Sequence, residues 1–498
     1  MKKLLLISAV LFFIIAPGCT KLDEKMYDKI PGDMYPENEA QVANLSVDAY
    51  KRMQNLADDQ GWWYLAQEIS SDELAAPTRG TDWFDGGKWT DMYQHTWTNE
   101  NEGVNRMWST FWAGITSCNQ IIDMLKALAQ NESIKAKIGE VEVMRSFYYY
   151  LLIDNYGDAP YLTTAILPAD FLPTKIKRAA IYDSIVNVVE SNLKYLKPID
   201  NKYMATRYMG FAMLAKLYLN AEVYTGTPQW AKAGQYCDSV MAGNYTLASN
   251  VLDPFKTNNE KSPEIIFSIP YDEDNFTGFR IHMRSLHYQS NLTYDMTVGP
   301  WNGFCAVPTF YDTYDAADVR KKAYFMTGPQ LTSAGAVIIE SITGEPLDID
   351  PNIPALKMDE GAYTPKQIRT TGARVIKYEI KSGAKENLSN DLPLFRISDI
   401  YLMKAETEIR QGRSGDEWIN PIRTRAGVST WTGATLDQLL AERGRELWCE
   451  GHRRQDQIRF GTFTNSAWEK PASDASRKTF PIPKWAVDAN PNLGLPVK

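Results

Sequence analysis

Residues 436–461, LDQLLAERGRELWCEGHRRQDQIRFG, decide how the rest of the chain is read. Leu436, Leu440, Leu447 and Gly451 recur at four- and seven-residue steps, which predicts one helix with a core-facing stripe. Arg443 falls on that stripe, between Leu440 and Leu447. An isolated buried ion is too costly to keep, so Arg443 must be paired. Glu442, Glu446 and Glu450 stack at i, i+4 on the neighbouring face, with Arg445 and Arg453 in reach. The spacing therefore predicts a helix that carries its own ion-pair network into the core. The competing reading is catalysis, since the carboxyl pair of a glycoside hydrolase sits about 5–10 Å apart. An arginine beside every acid favours the structural reading.

The segment ERGRELWCEGHRRQDQIRFG resembles the C-terminal signature of the RagB/SusD family of bacterial nutrient-binding lipoproteins, roughly E-x-x-R-E-L-x-x-E-G-x-R-x-x-D-x-x-R-x-G. Glu442, Arg445, Glu446, Leu447, Glu450, Gly451, Arg453, Asp456, Arg459 and Gly461 match it. The stretch 144–162, MRSFYYYLLIDNYGDAPYL, is also similar to a family segment. The resemblance implies a mainly α fold: a tetratricopeptide-like scaffold of helical hairpins, in which the signature is architectural. It implies a surface-exposed, lipid-anchored outer-membrane protein that binds oligosaccharide or polysaccharide without cleaving it. The expected partner is a SusC-like TonB-dependent transporter, to which the glycan is delivered. No cofactor is implied, and structural calcium is left open.

The N-terminus agrees with that expectation. Lys2 and Lys3 precede an apolar run over 4–15, then Ala16, Pro17, Gly18 and Cys19. A run this short cannot span a bilayer as a helix but fits an export signal. Residues 1–18 are expected to be the signal peptide, Cys19 the lipid anchor and 19–36 a tether. The alternative is an ordinary secretory peptide with Cys19 a plain thiol. Cys118, Cys237, Cys305 and Cys449 are far apart and form no metal-ligand spacing; a disulfide among them stays open. The 498 residues are 44% hydrophobic, enough for a large core, and the formal net charge of -8 argues against nucleic acid.

Residues 37–498 are expected to form a single domain, with helices over about 37–249 and 396–461 and a loop-rich, minor-β insert over about 250–395. Helical periodicity is read over 37–56, 103–128, 140–155, 181–196, 206–224, 230–240, 400–411 and 417–423. Trp108, Phe111, Trp112 and Ile115 share one face and are read as core. In the insert, 264–269 and 374–380 read as strands among many Gly, Pro, Asn and Asp residues. Long loops of this kind are usually functional, so the insert is expected to shape the ligand face.

The most suggestive stretch is 71–97, SDELAAPTRGTDWFDGGKWTDMYQHTW. A helix is unfavourable across Asp85-Gly86-Gly87, so its aromatics are read as loop residues. A sugar offers a weakly apolar C–H face to an indole and a hydroxyl rim to Asp, Asn or Arg. Asp72, Arg79, Asp82, Trp83 and Trp89 supply both kinds. The rival reading is that the two tryptophans plug the loop onto the body. A second cluster, 288–304, contributes Tyr294, Trp301 and Asn302, for which a packed loop tip is the rival. No HExxH, P-loop, GxSxG or GxGxxG occurs. Of the four histidines, His95 adjoins the aromatic loop and is read as structural. A peptide- or glycoprotein-binding tetratricopeptide-like import lipoprotein and, further off, a glycoside hydrolase using Glu442, Glu446 and Glu450 remain the alternatives.

Overall fold

In the computed structural model, which describes residues 39–58 and 60–497, the expected helix over 436–461 is two helices, Leu436–Leu447 and Arg453–Arg459. The backbone turns between them at Cys449 (φ 57°) and Gly451 (φ 78°). Distant side chains hold the turn. The Tyr64 and Tyr378 hydroxyls donate to the Cys449 carbonyl at 3.0 and 2.9 Å. Lys377 Nζ donates to the carbonyls of Glu446 and Trp448 at 3.1 and 2.7 Å. Glu68 Oε1 accepts from the Gly451 N–H at 2.6 Å. Backbone groups at a helix end need partners, and here they come from remote parts of the chain. Local periodicity carries no trace of them.

Arg443 is paired, as burial demands, with Asp456 at 2.7 Å and Asp399 at 2.8 Å. The network around the three glutamates is not the helix's own, which corrects the expectation. Glu442 does bind Arg445 at 2.7 Å, but also Arg423 at 2.7 Å and Arg320 at 2.8 Å. Glu446 binds Arg320 at 3.0 Å, Arg396 at 2.8 Å and Arg425. Glu450 binds Arg396 and Lys377, both at 2.6 Å. Arg453 turns away to Asp72, at 2.7 Å. All three glutamates are buried. Burial alone would raise their pKa values, but the surrounding cations outweigh it. Glu442 is held down to about 2, and Glu446 and Glu450 lie below the usual carboxylate range. A glycosidase acid needs a raised pKa and an approach for substrate. The trio has neither.

The helices before and after this segment pack in succession. Glu102–Ala127 lies against Glu132–Tyr156, which lies against Arg178–Asn192. Arg207–Leu219 lies against Trp230–Met241, which packs on Ile397–Arg410. That helix in turn meets Asp416–Arg425 and Leu436–Leu447. The scaffold is therefore continuous in space although residues 242–396 interrupt it in sequence. Asn101, Asn131, Thr206 and Thr435 accept from first-turn N–H groups and fix four of the starts. Gly210 permits close approach: a Cβ there would stand 2.9 Å from Leu193. Trp108, Phe111 and Ile115 are buried and Trp112 half-buried, so that face is core. The first expected helix is broken into Glu39–Leu45, Val47–Lys51 and a 3-10 turn, Arg52–Leu56.

The intervening segment leaves and rejoins the scaffold through one antiparallel pair, Ile265–Ile269 with Leu392–Arg396. Pro393 is tolerated because the sheet has two strands and both are edges. The strand expected over 374–380 shrinks to Arg374–Val375, paired with Phe325–Met326. Two small ladders stitch residues 74–79 to the segment: Leu74–Ala75 with Cys305–Ala306, and Thr78–Arg79 with Lys357–Met358. Cys118, Cys237, Cys305 and Cys449 are free, buried thiols. Among the described residues no helix is long and apolar enough to cross a membrane. The expected signal peptide, Cys19 and the tether lie outside the described residues.

Candidate functional site

The ladders that tie residues 74–79 to the segment bring the two aromatic stretches together. Between them opens a cleft of about 590 Å³. Asp82, Trp83, Asp85, Lys88 and Trp89 line one wall; Arg284, Tyr288, Pro300 and Trp301 line the other, with Gln60, Glu102 and Arg106 at one end.

The first wall is a strained turn followed by a short helix. Gly86 and Gly87 take left-handed backbone, and the helix Lys88–Gln94 begins directly after them. Trp89 is thus helical, not on a loop. Trp83 (φ 62°) and Asp85 (φ 41°) are left-handed without being glycine, as are neighbouring Trp62 (φ 60°) and Asn302 (φ 55°). Such conformations cost of order 1–3 kcal/mol each and collect at functional sites. Packing holds them. Trp83 Nε1 donates to the Trp301 carbonyl at 2.7 Å, and its ring lies so close to Gly303 that a Cβ there would be 2.1 Å away. Trp89 stacks on Trp62 at 4.5 Å and donates to Asp85 at 2.7 Å.

Tyr288 donates its hydroxyl to Asp82. Burial and that carboxylate push the hydroxyl up to about 12, so it stays protonated. The Arg284 guanidinium lies 5.5 Å from the Trp301 ring centre and 5.9 Å from that of Trp89. Lys88 and Arg106 both bind Glu102, at 2.9 and 2.7 Å. Burial works to raise Glu102, but these hydrogen bonds outweigh it and keep it ionised. Three cations and three carboxylates line the cleft, so its charge is balanced. Half-buried indoles, a phenol and fixed hydrogen-bonding groups make it suitable for a neutral, hydroxyl-rich ligand.

Four of the residues singled out in the sequence line this cleft: Asp82, Trp83, Trp89 and Trp301. Trp83 and Trp301 are half-buried, while Trp89 is buried and backs the wall from behind. The other four do not line it. Asp72 is locked to Arg453 by two bonds, at 2.7 and 3.0 Å. Asn302 is buried and donates to the Arg369 carbonyl at 3.0 Å. Tyr294 packs against Met283, Met296 and Ile380. Arg79 is buried, donating to the carbonyls of Ile368 and Thr371 at 2.7 and 2.9 Å. Proximity in sequence to a tryptophan does not reveal such partners. His95 is structural, bonded to Ser473 and the Ser70 carbonyl.

The sequence reading missed Asp85, Lys88, Arg284 and Tyr288 as cleft residues. Asp85, Lys88 and Tyr288 lay inside the two quoted stretches; Arg284 carried no signal. A second lobe of about 400 Å³ was also missed. It shares Asp82 and Tyr288 with the cleft and is lined further by Arg79, Glu360, Tyr363 and Arg369. Among the described residues no group of three or more His, Cys, Asp or Glu side chains could hold a metal ion.

Two family models match the chain: one described as SusD family over residues 263–494, the other as starch-binding associating with outer membrane over residues 22–219. The starch-binding protein SusD of Bacteroides thetaiotaomicron is 24% identical, over 98% of this chain and 97% of the relative. A SusD superfamily protein from Parabacteroides distasonis superposes with a TM-score of 0.74 at 18% identity, covering 93% of this chain and 98% of that one. Surface glycan-binding protein A from Bacteroides thetaiotaomicron, solved in complex with laminarihexaose, gives a TM-score of 0.71 at 21% identity over 91% of this chain and 98% of that one.

Proposed function

The chain belongs to the SusD family, and from that premise we propose that it is an outer-membrane glycan-binding protein which captures oligosaccharide in the cleft and does not cleave it. The observation that carries the proposal is the pairing, in one open cleft, of half-buried Trp83 and Trp301 with Asp82, Asp85, Arg284 and Tyr288. Names of relatives support it: one is described as starch-binding and another was solved with laminarihexaose.

One pyranose face on an indole removes about 60–80 Å² of apolar surface from water, worth roughly 2 kcal/mol. Two such platforms with a few hydrogen bonds give affinities in about the micromolar to millimolar range once association costs are met. Weak binding of this kind suits release to a transporter. The finer parts of the proposal are lipidation at Cys19, display on the cell surface and hand-over to a SusC-like TonB-dependent transporter, with scaffold helices facing the barrel.

Affinity electrophoresis on starch and laminarin tests the site. Wild-type protein should be retarded by at least one glycan, and Trp83→Ala and Trp301→Ala should each weaken that binding about ten-fold or more. A wild type that no glycan retards, or variants that run as it does, would overturn the assignment. Incubation with the same glycans should release no reducing ends.

A further inference from the structure

We propose that the second lobe is an anion subsite, and that the glycan taken by this protein carries a carboxylate or sulfate group. This rests on the glycan-binding reading and names the class of glycan. The lobe differs from the cleft in how its cations are neutralised. Arg79, which lines it, is buried, and its donors reach only the carbonyls of Ile368 and Thr371 and the Cys305 thiol at 3.6 Å. Its Nε has no partner. Arg374 adjoins it, fully buried, with one long bond of 3.4 Å to the Arg369 carbonyl and no partner for Nε or Nη1. Among the described residues neither guanidinium has a carboxylate within 4.0 Å.

A buried guanidinium without a counter-ion is unfavourable, and elsewhere in this protein buried arginines such as Arg320 and Arg396 are saturated with carboxylates. The charges of Arg374, Arg369 and Arg79 all act with burial to lower His287, to about 2. Burial and Arg79 likewise lower Arg374, to about 9. Three guanidinium groups thus converge behind one open lobe. Arg369 is the one that can touch a ligand. Its Nε binds Glu340 at 2.6 Å and its guanidinium covers Tyr288 at 4.6 Å, while its terminal nitrogens bond to no described residue. Two acids also line the lobe: Asp82, which accepts from Tyr288, and the exposed Glu360. A carboxylate or sulfate in the lobe would meet Arg369 in a bidentate fork and offset Arg79 and Arg374 behind it. Because the lobes share Asp82 and Tyr288, a single chain could stack on Trp301 while its acidic group enters the second lobe.

Isothermal titration with three oligosaccharides of equal length decides the matter: a neutral glucan, an oligogalacturonate and a chondroitin sulfate fragment. At low salt, at least one acidic probe should bind about ten-fold more tightly than the neutral one, with the advantage shrinking as salt is added. Arg369→Gln should abolish that advantage and Arg369→Lys should keep only part of it, since lysine carries the charge without the fork. The galacturonate and sulfate arms distinguish the two anions. Equal affinity for neutral and acidic chains, or an advantage that survives Arg369→Gln, would overturn the proposal. Neutral binding lost in Trp301→Ala with no acidic advantage fails the anion subsite alone. Binding of no glycan at all fails the glycan reading, and the subsite with it.

Discussion

The signature segment and the cleft are made from the same groups, carboxylates beside arginine and lysine, and differ in their access to water. Glu446 has three arginines around it and is sealed in the core. Glu102 has Lys88 and Arg106, with side chains from 26% to 38% exposed. In the core each ion is committed to its partners, because losing one strands the rest in a medium of low dielectric. At the cleft water can stand in for any partner, so the same groups can exchange protein contacts for ligand contacts. The scaffold is therefore bolted by ion pairs sealed from water, while the cleft carries ion pairs that water can reach.

The largest effect should come from breaking the sealed side. Glu446→Ala leaves Arg320, Arg396 and Arg425 short of a counter-ion, and these tie the inserted segment, the strand Leu392–Arg396 and the helix Asp416–Arg425 to one helix. A loss of about 3–5 kcal/mol is expected on removing one partner from a buried network. Denaturant unfolding would measure it. A loss below about 1 kcal/mol would mean that the network does not hold these elements together.

A second effect, of opposite sign in pH, comes from a buried acid with too few cations. Burial raises Glu68 to about 7, against the pull of the Gly451 N–H and Lys377, and nearby Glu450 adds to the rise. Its folded pKa lies above its unfolded value, so the native state holds the proton more tightly. That stability is fully present below the unfolded pKa and is lost as pH rises through about 7. The expected decline is about 3 kcal/mol. Glu68→Gln should still accept from Gly451 and should flatten the decline. Unfolding at acidic and alkaline pH, wild type against variant, checks it; an unchanged slope would assign the decline to another group.

What could be read from the sequence divides along the same line. The hairpins were legible, since their burial repeats every three or four residues and owes little to partners elsewhere. The burial of Arg443 was legible for the same reason, together with its need of an acid. The break at Cys449 and Gly451 was not, because Tyr64, Lys377 and Tyr378 supply the bonds that hold it. Of the cleft-lining residues, Asp82, Trp83 and Trp89 were singled out because aromatic and acidic residues crowd a glycine-rich turn, and Trp301 because it sits in a Gly/Pro-rich loop. Asp72 and Arg79 fit the same pattern and lie elsewhere, since only Arg453 and the carbonyls near Ile368, far along the chain, decide their places. The second lobe left no local signal, for Arg369 comes from the short helix Pro365–Thr370 and Tyr363 from just before it.

The smallest effect should come from the open side, and it completes the comparison. Glu102→Gln removes one acid between two cations, where Glu446→Ala removes one among three, and keeps nearly the same shape. Lys88 can turn to Asp85, already 3.9 Å away, and Arg106 retains Gln60 at 3.1 Å. Water reaches both. Although these bonds lower the Glu102 pKa, solvent screens most of that advantage, and exposed pairs contribute about 0–1 kcal/mol. Unfolding should therefore shift by no more than about 0.5 kcal/mol, and by less as salt is added. Should Glu102→Gln prove as damaging as Glu446→Ala, access to water would not be what separates the two regions, and the cleft would have to be counted as part of the frame rather than as a surface free to exchange partners.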